Sequence, residues 1–382
     1  MNFLDRFRYR YDNLKELDVN ISSNKKNLNY NNPILKSLLS TSVKVTPEIF
    51  PKIDNCIQSV FKKLELKNNF NFFVTANHNQ TQASCAMMPE SDSAEIIITS
   101  RMIELLNINE LSYVLGHEIS HHYYQHNIYP SPNQAKSKME LLKLLHLSRA
   151  SEISADRAGF LGSGDIENSL KAMLKIASGL SEKHLTFNFS SYLDQLRELK
   201  QIKGDQNQMY STHPSFLNRM QALVWFSMSH EYHEYFETNK KGVYDLKTVD
   251  QKINESIKKV IGNELDISTK EIFSNALMWC SLKIFIADNK FTKKEQKLFE
   301  KNFGEKNTAS ILSLLKISKP KSIEVKINNA LNEATNLLMA EREKLFNELK
   351  KLNSVAESDQ KLVQSSLNQI KKNIKLQAKF LQ

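Results

Sequence analysis

The sequence predicts a mainly α fold of the α+β class, with a small β-sheet confined to one domain and a second domain that is all helix. Three observations carry this. Apolar residues recur at helical spacing along most of the 382 residues, and only short stretches read as strands. With 9 glycines and 8 prolines, the chain is too poor in turn residues for a β-sandwich or a glycine-rich linker. Charge is uneven: residues 1–250 hold 28 Lys+Arg against 27 Asp+Glu, whereas residues 251–382 hold 24 against 15. Nearly all of the net charge of +10 therefore lies in the last third, which marks a change of domain.

The elements follow in order. Residues 1–35 read as a flexible lead-in, rich in Asn, Lys and Ser between 10 and 32. Residues 47–65 put Ile49, Ile53, Ile57, Val60 and Phe61 on one helical face. Strands are expected at Phe70–Thr75 and Ala94–Thr99, and QASCAMM between them reads as a short edge strand before a turn. A helix then runs from Asn109, its expected N-cap, to His126, and Pro130 and Pro132 break the pattern. A long helix from 136 to 160 ends near Gly162 and Gly164, and further helices lie near 166–179, 190–202 and 215–236. The polar, aperiodic stretch 238–250 places the main boundary, dividing a domain of residues 36–240 from a basic, all-helical domain of residues 251–382.

The three cysteines, Cys56, Cys85 and Cys280, show no CxxC spacing, so neither a disulfide framework nor a Cys-rich zinc module is expected, and a reducing cytoplasm is the default compartment. The N-terminus carries charges throughout and has no apolar core of a secretory signal. No run of about 18 apolar residues occurs, so no transmembrane helix is expected, although a peripheral membrane contact is compatible with the sequence. The basic last third could attract a protein partner, an anionic surface or, less in keeping with the rest of the chain, nucleic acid; a solvated Lys-rich face is the simpler account.

The chemistry is concentrated in three blocks. The first is His117-Glu118-Ile119-Ser120-His121, a HExxH motif. On a helix the two histidines share a face, so both imidazoles can reach one ion, and Glu118 stands beside the first of them. Zinc suits such nitrogen donors and, at a catalytic site, takes three protein ligands and leaves a position open. The second block is Glu152-Ile153-Ser154-Ala155-Asp156, which offers a third ligand in Glu152. Asp156, one turn later, could accept the free ring N–H of a ligand histidine. Taken alone, this pair reads as an ordinary charged helix face. In the third block, His213 precedes Pro214 and so belongs to an extended or turn segment, with Arg219 on the helix that follows. Such a pair could stabilise an oxyanion.

In that order, HExxH, ExxxD and HP…R resemble the zinc metallopeptidases of the HtpX and CAAX prenyl protease type, over about residues 35–235. The resemblance implies a gluzincin-type peptidase domain hydrolysing internal peptide bonds of a polypeptide substrate. It implies one Zn2+ per chain on His117, His121 and Glu152, with Glu118 as general base. It further implies Asp156 as partner to a ligand histidine, and His213 with Arg219 on the oxyanion side. Relatives commonly carry an Asn-Ala-Phe-Ala-like strand that pairs with substrate backbone; here the same place is taken by Ser84, Cys85, Ala86 and Met87. Many relatives also span a membrane, and this chain shows no such segment.

In the last third, IADNKFTKKEQKLF and NSVAESDQKLV resemble the acidic helix turns of TerB-like domains, implying an interaction or metal-sensing module. Other features read as ordinary surface or core: His122 with His126 as a solvated face rather than a second metal site, His230 with His233 as a surface helix, and Cys85 as a small buried residue rather than a thiol that silences the metal. Asp288-Asn289-Lys290 lacks the rest of a calcium-binding loop. Two competing readings stand beside the peptidase. One is a zinc-bearing adaptor with a vestigial or blocked site that acts through its basic domain. The other is a latent enzyme covered by residues 1–35 or by the C-terminal domain.

Overall fold

The computed structural model describes residues 3–10, 33–67, 69–77, 79–87, 94–135, 137–201, 214–236, 238, 240–261, 264–317, 320–353 and 359–376. The chain divides into two compact units, Met1–Asn263 and Glu264–Gln382. The division falls later than the polar stretch 238–250, because a helix beginning inside that stretch buries Val249, Ile253 and Ile257 with the first unit.

The first unit opens with α1 (Phe3–Phe7) and α2 (Pro33–Thr41). Its sheet is built from β1 (Val43–Lys44), β2 (Phe70–Thr75), β3 (Ala83–Met87) and β4 (Ala94–Thr99), in the order β1-β2-β4-β3. β2 and β4 are parallel, pairing Phe72 with Ile96, while β1 and β3 run antiparallel to their neighbours. The strands are where their β-branched and aromatic residues predict, with Phe72, Phe73, Ile96 and Ile98 buried. β3 is therefore an edge strand. Between β1 and β2 lies α3 (Pro51–Lys63), which starts at a proline suited to a first helical position, so Ile49 falls outside it and is 57% exposed.

The helices that follow are α4 (Ser100–Leu105), α5 (Ile108–Tyr123), α6 (Lys138–Ser163), α7 (Ile166–Ser178), α8 (Phe189–Gln201), α9 (Phe216–Ser227), α10 (His230–Tyr235) and α11 (Leu246–Ile261). Helix α5 begins earlier than Asn109, because Asn107 is the better cap: its side chain accepts from the Asn109 and Glu110 N–H groups, and the Glu110 carboxylate accepts from the Asn107 N–H. It also ends before His126, because Gln125 adopts a left-handed φ of 58° and the chain enters a short 3-10 turn, His126–Ile128. The stretch expected as one helix over 215–236 is two, since Ser229 caps a new helix and His230 N–H bonds to the Tyr244 carbonyl.

α5 and α6 cross at close range. A Cβ on Gly159 would stand 2.6 Å from the Tyr113 carbonyl oxygen, and one on Gly116 would stand 3.1 Å from the Ala158 carbonyl oxygen. Glycine at these two positions lets the backbones meet, bringing the HExxH helix against the ExxxD helix.

The lead-in expected over residues 1–35 is different in its described first part. Leu4, Phe7 and Tyr9 are buried. Tyr9 N–H donates to Ser154 Oγ (3.1 Å), Ser154 Oγ–H to the Tyr9 carbonyl (3.0 Å), and Arg157 to the Phe7 carbonyl (3.1 Å). Residues 3–10 are thus pinned along α6, and Tyr124 O–H reaches back to the Leu4 carbonyl at 2.8 Å. Apolar burial at these positions outweighs a polar local composition. Residues 11–32 lie outside the described residues.

The second unit contains α12 (Glu264–Phe285), α13 (Lys293–Phe303), α14 (Glu305–Ile317), α15 (Pro320–Ala334), α16 (Met339–Asn353) and α17 (Gln360–Asn373). It has its own core, including Phe285, Phe299, Leu331, Leu345, Leu349 and Ile370. The acidic turn at 288 is local: Asp288 accepts from the Lys290 N–H, Asn289 takes a φ of 61°, and Thr292 with Glu295 forms a capping box for α13. Of the corresponding second turn, residues 354–358 lie outside the described residues, and Asp359 caps α17. Among the described residues no helix is long and apolar enough to cross a membrane.

Candidate metal centre

Helix α5 presents His117 and His121 one turn apart on the same face, as the spacing requires. Their Nε2 atoms are 3.1 Å apart. Glu152, from the crossing helix α6, brings Oε2 to 3.7 Å from His117 Nε2 and Oε1 to 3.8 Å from His121 Nε2. Among the described residues these three form a group of donors able to hold one metal ion.

Their partners test that fit. His117 Nδ1 lies 3.1 Å from Asp156 Oδ1, so its ring N–H is committed there and Nε2 carries a lone pair. That lone pair faces the second imidazole and a carboxylate at separations close to the ~3.3 Å expected for two donors on one tetrahedral zinc. Lone pairs so placed repel unless a proton or a metal ion lies between them, and only a metal ion engages all three donors at once. The residues present fit zinc.

Asp156 is the hub of the surroundings. Arg219 binds it with one edge of the guanidinium, Nε to Oδ2 at 2.8 Å and one terminal nitrogen to Oδ1 at 2.6 Å. Tyr113 O–H adds a third donor at 2.6 Å. The remaining guanidinium nitrogen lies 3.0 Å from Glu152 Oε2. Arg219, expected on the oxyanion side, thus points its charge at the two carboxylates of α6.

Electrostatics follow from burial and these pairs. Burial alone would raise Asp156, but Arg219 and the His117 ring hold it down at about 2. Burial opposes charge on His117, yet the hydrogen bond and charge of Asp156 prevail and raise its basicity. Burial and the neighbouring His117 lower His121 to about 4, keeping it in the neutral, metal-binding form. Burial raises Glu118, opposed by His117, Arg219 and the Cys85 backbone N–H.

A cavity of about 490 Å³ opens over the three donors. Glu118 lines it beside His117 and His121, Ser84 and Cys85 of the edge strand form one wall, and Phe216, Pro214 and Arg219 another. Ala86 and Met87 continue the strand, paired with Glu95 and Ala94. Cys85, expected as a buried residue, is half-buried in the cavity wall because β3 is an edge strand; it offers its carbonyl to Asn127 Nδ2 at 2.9 Å, and burial and the nearby Glu118 push its thiol well up. None of residues 3–10 lines this cavity. His213 lies outside the described residues, whereas its neighbour Pro214 borders the cavity.

Two residues of the site carried no sequence expectation of it. Tyr113 stands four residues before His117, so its place on the same helix face could have been read from spacing. His126 was expected on a solvated face with His122. Instead the helix ends between them: His122 packs edge-on to Phe70, and His126 is buried beside His121. No linear pattern shows that turn.

Residues 47–135 and 134–225 match the sequence pattern of Peptidase family M48. No curated protein and no solved structure matches the chain. The matched region contains both metal-site helices and Arg219, and the second unit lies beyond it. That likeness, together with the three donors, supports a metal-dependent peptidase.

Proposed function

We propose that the protein is a zinc-dependent endopeptidase of the HtpX and CAAX prenyl protease type, with His117, His121 and Glu152 as ligands of one ion. The observation that carries this is the meeting of two Nε2 atoms at 3.1 Å with a carboxylate from a second helix, at the floor of a cavity flanked by an edge strand. When bound, zinc supplies Lewis acidity to the scissile carbonyl and to the attacking water.

The chain's own residues do the rest. Glu118, raised by burial and placed beside His117, takes the proton of the attacking water and returns it to the leaving amine nitrogen. The outer side of β3, at Ser84 to Met87, receives the substrate backbone as an added strand once the substrate displaces Asn127 and Glu118 from the Cys85 backbone, which suits an extended polypeptide. Asp156 fixes the tautomer and tilt of His117. Arg219 is a positioning residue that holds Asp156 and Glu152 in place, and the oxyanion role falls to His213. The free thiols of Cys56, Cys85 and Cys280 support a reducing, cytoplasmic setting. The Lys-rich second unit takes a regulatory or partner-binding part, supported by its charge and separate core.

The test is metal analysis alongside peptide cleavage. Glu118→Gln is expected to retain zinc and to lose about 10²–10⁴-fold in kcat. His117→Ala is expected to lose both metal and activity. Cleavage by Glu118→Gln at the wild-type rate would refute the base assignment.

A further inference from the structure

The zinc-peptidase reading leaves His126 without a role, and any role for it at this site depends on that same zinc being bound. His126 is 7% exposed, packed between the rings of Tyr124 (5.3 Å between centroids) and Tyr129 (5.7 Å). The left-handed Gln125 turns the chain back after α5, so that His126 Nδ1 meets His121 Nδ1 at 3.0 Å. Both atoms are ring nitrogens, so one hydrogen must lie between them and one of the two rings must accept it.

Only one direction serves the ion. If His126 donated, a neutral His121 would carry its proton on Nε2, aimed at His117 Nε2 3.1 Å away and unable to ligate. If His121 donates, its Nε2 lone pair faces the ion. We propose that His126 is a positioning residue of the metal site: its Nδ1 accepts the Nδ1–H of His121 and fixes that ligand in the metal-binding tautomer and orientation. The two ligand histidines are then held by unlike partners, His117 by the Asp156 carboxylate and His121 by a neutral imidazole. The latter orients its ligand without adding a further buried negative charge beside Glu152 and Asp156. The turn that carries His126 is itself tied down. Arg8 donates to Tyr129 Oη at 2.7 Å on one side, and Asn127 donates to the Cys85 carbonyl at 2.9 Å on the other.

The experiment uses the full chain and measures zinc affinity by competition with a chromophoric chelator. His126→Phe fills the space without an acceptor; His126→Asn keeps an oxygen close to the position of Nδ1. His126→Phe is expected to bind zinc about 10–100-fold more weakly, and His126→Asn to recover most of that loss. The cobalt-substituted visible spectrum should shift in the first variant and return in the second. Wild-type affinity in a folded His126→Phe would overturn the proposal, as would an Asn variant as weak as the Phe variant. A wild-type protein that binds no zinc would instead overturn the metal reading itself. Should the Phe variant fail to fold, ¹⁵N-histidine spectra of the zinc-loaded wild type decide: the proposal requires a protonated Nδ1 on His121 and a bare Nδ1 on His126, and the reverse refutes it.

Discussion

Asp156 receives four donors from three residues, one each from Tyr113 and His117 and two from one edge of Arg219, and all of them are buried. A carboxylate so placed couples the metal ligands to the stability of the unit, because removing one partner leaves a charge in a low-dielectric interior. Arg219→Ala is therefore expected to destabilise the first unit by about 3–5 kcal/mol, read from the shift in its denaturant midpoint. Arg219→Lys should not restore it, since an ammonium cannot make the paired contacts of a planar guanidinium. Full recovery by lysine would show that charge alone matters here.

Among the elements, the crossing of α5 and α6 builds the site. Its close approach depends on Gly159, where a methyl group would meet the Tyr113 carbonyl and ring. Gly159→Ala is expected to cost about 1–3 kcal/mol and to weaken zinc binding together with stability, since the helices can relieve the clash only by moving apart. An alanine variant with unchanged stability and affinity would refute this. The N-terminal segment is the second element of note. It packs along α6 behind Glu152 and Asp156 through Ser154 and Arg157. Burying Leu4 and Phe7 contributes about 1.5–3 kcal/mol each, and Tyr9 is buried beside them. Removing residues 1–10 should therefore lower thermal stability and peptidase activity together. A latent enzyme covered by this segment would respond with a rise in activity.

For the molecule as a whole, the division into two compact units predicts that each unfolds as its own cooperative block. Among the described residues, only the first contains the donors for an ion. Calorimetry is expected to resolve two transitions, of which a chelator lowers one. Free zinc at 100 times its Kd stabilises that unit by about 2.7 kcal/mol, which chelation removes. A transition of residues 264–382 that moves with zinc would instead point to metal binding there.

What the linear chain determined was whatever rests on short-range periodicity: the helical class, the strands Phe70–Thr75 and Ala94–Thr99, and the shared face of His117 and His121. Glu152, Asp156 and Arg219 were also legible as a set, because their blocks recur in a known order even though nothing local joins them. Tertiary structure decided the rest. It turned Arg219 toward two carboxylates, pinned a polar N-terminus along α6, and folded His126 back onto His121. Each of these depends on a partner far away in sequence or on a single left-handed residue. Burial against such a partner is a long-range free energy that no local pattern encodes.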